Sequence, residues 1–177
     1  MKTTASVVIR IIIWIILILG GIALSLYFDL KYFRNLFFNP FFHLITLLLG
    51  YIVIKLSFHA AAVGGKELKR KGRVGDIPRL ETNKLVTSGI YECTRHPMLF
   101  GLMLLPLGIA LFLGLPSFIF FIAPLEAFFI FIMVITLEER EAYIKFGEEY
   151  LKYKEKTPLF PKTKECFKKL FIGGEND

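Results

Sequence analysis

The sequence predicts an all-α integral membrane protein with about four transmembrane helices, a polar cytosolic loop and a C-terminal amphipathic helix. Three observations carry that expectation. Hydrophobic side chains make up 55% of the 177 residues, and 19 of them are Phe. A soluble domain of this size exposes too much of its surface to hide such a load. Four apolar stretches are long enough to approach the ~30 Å of a bilayer core. The basic residues, finally, gather in some connecting segments and avoid another.

The first stretch, Ile11–Phe28, is uncharged over 18 residues. It runs past the length of a usual secretory signal core, so it reads as a span. The second, Pro40–Phe58, contains His43 and ends with Lys55 close enough to the interface to snorkel. The third and fourth, Met98–Leu115 and Pro116–Leu137, meet at Gly114-Leu115-Pro116-Ser117, which predicts a tight helical hairpin. Pro106 and Pro124 predict kinks in these two helices. Gly101, Gly108 and Pro106 suit close helix packing.

Segment 59–97 carries eight basic residues (Lys66, Lys69, Arg70, Lys71, Arg73, Arg79, Lys84, Arg95) against four acidic ones. The 29–39 connection has only Lys31 and Arg34. This asymmetry places the long loop and both termini in the cytosol, and the Lys66–Arg73 cluster suits contact with anionic headgroups. The net charge of +7 and the apolar composition give no surface for nucleic acid. After the fourth span, Tyr143, Phe146, Tyr150 and Tyr153 recur at helical spacing, with Glu141–Lys145 and Glu148–Lys152 as i,i+4 pairs. This predicts a helix, lying on the headgroups or closing over a site, that stops at Thr157-Pro158. Three regions result: a two-span region over 1–63, a loop–hairpin–helix region over 64–161, and a basic and polar tail over 162–177. Cys93 and Cys166 match no metal-ligand spacing and read as free cytosolic thiols; no metal site is expected.

The chemistry-bearing residues converge through the hairpin. Arg95-His96 immediately precedes the third span, and Glu138-Glu139 ends the fourth, so a tight hairpin brings them together at the membrane surface. Such a group suits a cationic amphiphile, the carboxylates facing an ammonium or sulfonium and His96 facing a carboxylate or ribose. An ion-pair cluster that anchors helix ends is the alternative. Glu126 lies mid-span, where an ionisable side chain is costly; it either pairs with His43 or Lys55 or lines an acceptor cavity. His59 reads as an interfacial residue.

Leu85-Val86-Thr87-Ser88-Gly89-Ile90-Tyr91, Arg95-His96-Pro97-Met98 with Gly101, Glu138-Glu139, and Phe146-Gly147-Glu148-Glu149-Tyr150 with Tyr153 and Thr157-Pro158 occur in that order. Over residues 64–161 this set resembles the isoprenylcysteine carboxyl methyltransferase family and its phospholipid-methyltransferase relatives. The resemblance implies methyl transfer from S-adenosyl-L-methionine to a lipophilic acceptor entering from the membrane lipids. It implies cofactor contacts from Lys84, Leu85, Val86, Tyr91, His96, Pro97, Met98, Leu99 and Glu138; beside them, the hairpin reading gives Glu139 and Arg95 as catalytic or orienting residues. The prenylcysteine branch has an arginine where this chain has Val134, an aromatic where it has Leu99, and a histidine where it has Asn83. Without that arginine a carboxylate acceptor lacks its counter-charge, so an amine, thiol or phenol on a lipophilic molecule is the expected acceptor. Two other readings stay open: an NADPH-dependent membrane reductase of the sterol type, and a non-catalytic membrane scaffold.

Overall fold

The computed structural model describes residues 3–77 and 81–172; Arg79, counted above among the basic residues, lies outside them. Among the described residues the regular structure is all helical. Helix α1 covers Thr3–Tyr32, a single turn α2 covers Arg34–Phe37, and α3 runs from Pro40 to Lys71. A 3₁₀ turn at Gly89–Glu92 precedes α4 (Pro97–Met103) and α5 (Leu105–Leu113). Then α6 (Ala123–Met133) and α7 (Glu139–Lys156) are each entered through a π-helical turn, at Phe118–Ile122 and Val134–Glu138. A short α8 covers Lys164–Phe171.

Among the described residues, three helices are long and apolar enough to cross a membrane: Val7–Tyr32, Pro40–Lys71 and Phe118–Lys156. The stretch expected as the third span is shorter, Pro97–Leu113, and breaks at Leu104. The break falls two residues before Pro106, whose ring cannot follow an unbroken α-helix. The second span also differs from expectation. It does not stop at Phe58 but continues as one helix through the basic cluster to Lys71, so much of the expected loop is helical. Lys69, Arg70 and Lys71 in the last turn complement the helix dipole there.

The chain divides into two compact units, Met1–Ser57 with Met103–Ile130, and Phe58–Leu102 with Phe131–Asp177. The first unit is the apolar one. Outward-facing Ile12, Ile16 and Leu19 of α1 are about half exposed, as befits a lipid-facing surface. The helices approach each other through small residues. A Cβ placed on Gly50 of α3 would lie 2.6 Å from the Phe112 Cα of α5, and one on Gly108 would lie 2.8 Å from the Ile54 Cγ1. In lipid, where no water is displaced from between helices, such close contact is a main source of association. Asn39 Oδ1 accepts the amides of Phe41 and Phe42 at 2.9 and 3.1 Å and so caps α3.

Gly114 closes α5 in the left-handed region (φ 64°), and the chain turns through Pro116 as the hairpin motif predicts. At that turn the fully buried Asp29 accepts the Ser117 amide at 2.8 Å, and the Ser117 hydroxyl donates to the Ser25 carbonyl at 3.2 Å. A carboxylate there stabilises the positive end of the following helix. Glu126 is buried against Gly21 of α1, where any Cβ would sit 3.0 Å from its Oε1. Its expected partner His43 turns instead to the Phe37 carbonyl.

The second unit is held by aromatic packing and polar bonds. Val86, Ile90, Tyr91, Cys93, Tyr150, Tyr153 and Leu170 form one buried cluster. Phe100 packs with Phe160, Phe167 and Phe171. Cys93 and Cys166 are not free thiols: they form a disulfide with Cα atoms 5.4 Å apart across 73 residues of sequence. Spacing alone could not reveal the pair, because the packing of α8 on the 3₁₀ turn is a tertiary event. The aromatic stripe of α7 is also interrupted. Gly147 adopts φ 56° and ψ −132°, kinking the helix, so Tyr150 and Tyr153 turn inward while Tyr143 stays exposed.

Candidate functional site

The centre of the second unit is Glu139, buried at 6% exposure one residue after the π-helical turn Val134–Glu138. A π-turn advances the chain by an extra residue, which re-aims the side chains that follow it. The Glu139 carboxylate takes donors from four side chains. Arg95 grips both oxygens, Nε to Oε1 and Nη2 to Oε2, each at 3.0 Å. His96 Nε2 lies 2.8 Å from Oε1, and with a carboxylate as acceptor that nitrogen carries the proton. Tyr150 donates to Oε1 at 2.5 Å, and Lys154 Nζ lies 2.9 Å from Oε2.

Burial by itself would raise the Glu139 pKa; the hydrogen bonds from His96, Arg95, Tyr150 and Lys154 outweigh it and hold the carboxyl well below its usual range. Burial and the bond to Glu139 push Tyr150 the other way, so its hydroxyl stays protonated and donating.

Arg95 also fixes the segment that ends α7. Its Nη1 donates to the carbonyls of Lys154 and Thr157, and its amide donates to the Pro158 carbonyl at 3.0 Å. Thr94 Oγ1 adds a bond to the Leu159 carbonyl at 2.7 Å. These contacts explain why Thr157-Pro158 ends the helix where the sequence predicts: the extended chain after Lys156 finds its partners on residues 94–95.

The 84–91 loop is built separately. Asn83 pairs with the Val74 backbone in both directions, at 2.8 and 2.7 Å, and the amides of Asn83 and Lys84 donate to the Gly72 carbonyl. Ser88 accepts from Lys71 Nζ at 2.9 Å, while Glu67 pairs with Arg70 and Lys71 and lies against Gly89. Tyr91 is buried; its hydroxyl donates to the Gly64 carbonyl at 3.4 Å, and its own carbonyl accepts from Tyr153 at 2.6 Å. Burial, with Tyr153 and Glu67 nearby, pushes the Tyr91 pKa upward.

Every residue expected at the site therefore lies in this one unit, in three settings. Val86, Tyr91 and Pro97 are buried in its packing. Lys84 and Met98 are exposed, and Leu85, Leu99 and Glu138 are half-buried. Arg95, His96 and Glu139 form the ion-pair network. Of the two carboxylates expected to face Arg95-His96, Glu139 is the one that holds both. Tyr150 and Lys154 were not singled out as site residues from the sequence. Their signal was the i,i+4 spacing of two donors on α7, which acquires meaning only once Gly147 turns that face inward.

Arg95-His96 and Glu138-Glu139 lie within residues 45–149, a segment that matches the phospholipid methyltransferase family. The chain belongs to the phospholipid methyltransferase family. It is accordingly a membrane methyltransferase, with the all-α architecture expected from its sequence. No curated protein and no solved structure matches the chain. The phospholipid methyltransferase match ends at Glu149, so Tyr150, Lys154, the helix-ending Thr157-Pro158 and α8 are features on which it is silent.

Proposed function

We propose that the chain transfers the methyl group of S-adenosyl-L-methionine to an amine, thiol or phenol on a lipophilic acceptor that arrives from the bilayer. The observation that carries this reading is that the matched family segment encloses both halves of the Glu139 network, Arg95-His96 and Glu138-Glu139. The bound cofactor supplies an electrophilic sulfonium methyl, and the reaction it supports is a displacement needing alignment and a suitable field more than proton transfer.

The residues present fit such a group. Glu138 is a half-buried carboxylate suited to an ammonium or ribose, and exposed Lys84 suits a carboxylate. Met98 and Leu99 offer apolar wall, as do Leu85 and the 84–86 backbone. His96 has Nδ1 left for a ligand once Nε2 is bonded to Glu139. Arg95 and Glu139 act in this reading as positioning residues: they fix residues 95–99 and bring the end of α7 against them. Val134 is fully buried, so the place of a carboxylate-binding arginine holds an apolar side chain. That favours an uncharged or cationic acceptor. By the distribution of Lys and Arg, the site and both termini face the cytosol.

The test is calorimetric titration of S-adenosyl-L-methionine, with NADPH alongside, into detergent-purified protein and its His96→Ala and Glu138→Ala variants. Micromolar binding of S-adenosyl-L-methionine that both substitutions weaken by tenfold or more is expected. Binding of NADPH in its place, or of neither, by well-folded protein overturns the reading in favour of a reductase or a scaffold.

A further inference from the structure

A second candidate ligand surface includes Arg95 in its lining. A cavity of about 400 Å³ is lined by Arg95, Lys154, Lys156 and Lys162, with Glu155 the one lining carboxylate and Thr157 in its wall. Two of the four cations are already engaged, since Arg95 and Lys154 both hold Glu139. Lys156 and Lys162 have no acidic partner among the described residues. The wall between them is preorganised, because the Pro158 and Leu159 carbonyls are tied to the Arg95 amide and the Thr94 hydroxyl. A rigid wall carrying two exposed ammonium groups without an acidic partner among the described residues is a site suited to an anion.

Its depth says which anion. Arg95 stands two residues before apolar α4, and Glu139, to which Lys154 is bonded, stands two residues after the apolar run ending at Leu137. Both markers put the cavity at the headgroup layer, where phosphate groups of lipids far outnumber soluble anions. We propose that this cavity binds the phosphate of an anionic membrane lipid, with Lys156 and Lys162 as its charge partners. A zwitterionic headgroup fits less well: its ammonium would meet a cavity with four cations and a single carboxylate. None of its lining residues is among those proposed above to contact the methyl donor, and it needs no turnover to be occupied.

The test uses the full chain in neutral detergent and follows thermal unfolding against dioctanoyl phosphatidylglycerol, dioctanoyl phosphatidylcholine and inorganic phosphate. Phosphatidylglycerol is expected to raise the midpoint in a saturable way, and phosphatidylcholine to leave it unmoved. Lys156→Ala and Lys162→Ala should each weaken the apparent affinity about fivefold, while the Lys66→Ala/Lys69→Ala double variant keeps it. Both lysines are exposed and outside the Glu139 network, so the variants' own midpoints without lipid report whether they fold. Equal response to the two lipids overturns the proposal, as does a response abolished by the Lys66/Lys69 pair. The same rise with inorganic phosphate at matched concentration overturns the lipid as ligand and assigns the cavity to a soluble anion.

Discussion

The two compact units of this chain are stabilised by opposite means. In the apolar unit, close contact is made by what is missing: Gly50 and Gly108 remove side chains so that α3 and α5 can touch. In the polar unit, contact is made by what is added: a carboxylate with donors from four side chains, three inward-facing tyrosines and a disulfide. The difference teaches how solvent sets the vocabulary of packing. Between helices in lipid, shape and a few polar bonds decide association. Next to water, hydrophobic burial drives the packing, and each polar group it buries must find a partner.

The largest effect is expected at Glu139. Glu139→Ala strands Arg95, whose side chain is 9% exposed, without its counter-charge. Removing one partner of a buried ion pair costs about 3–5 kcal/mol, so the variant should unfold in detergent at a much lower temperature. Loss of less than about 1 kcal/mol would mean that water reaches Arg95 and that the polar unit is not built on this network. Opening the disulfide comes next. Cys93→Ser with Cys166→Ser should cost about 2–4 kcal/mol by freeing a long loop in the unfolded chain. Non-reducing peptide mapping checks the bond itself.

The apolar unit should break by a different substitution. Gly50→Ala places a methyl into the α5 backbone and is expected to cost about 1–3 kcal/mol. Gly20→Ala, on the open face of α1 with nothing within 4 Å, should stabilise by roughly 0.5–1 kcal/mol through helix propensity alone. If the two alanines behave alike, the close approach of α3 and α5 is not what holds that unit.

Acid and alkali should act on the polar unit more gently. The Glu139 pKa is depressed in the folded state, so its contribution is fully present above its ordinary value of 4.5 and is lost as pH falls through the folded value. Tyr91, Tyr150 and Tyr153 are raised from 10.0, so their contribution is full below that pH and declines as pH climbs past it. Melting curves across pH should therefore show a plateau with two shoulders, and Glu139→Gln should flatten the acid one.

Much of the fold was legible because hydrophobic length, proline and glycine act locally. Ile11–Phe28, the Gly114–Ser117 turn, the break ahead of Pro106 and the stop at Thr157-Pro158 each follow from a few neighbouring residues. So did the meeting of Arg95-His96 with Glu139, because a tight hairpin leaves its two ends few places to go. The continuation of α3 to Lys71 was hidden by charge, since a helix leaving the bilayer changes composition without changing backbone. What only the tertiary structure decided was which carboxylate turns inward, which tyrosines meet it, and that Cys93 finds Cys166. Those outcomes depend on a π-turn and on one positive-φ glycine, Gly147, whose re-aiming of side chains spans several helical turns. Periodicity in the sequence assumes a regular helix, and where the backbone departs from one, the packing chooses the face.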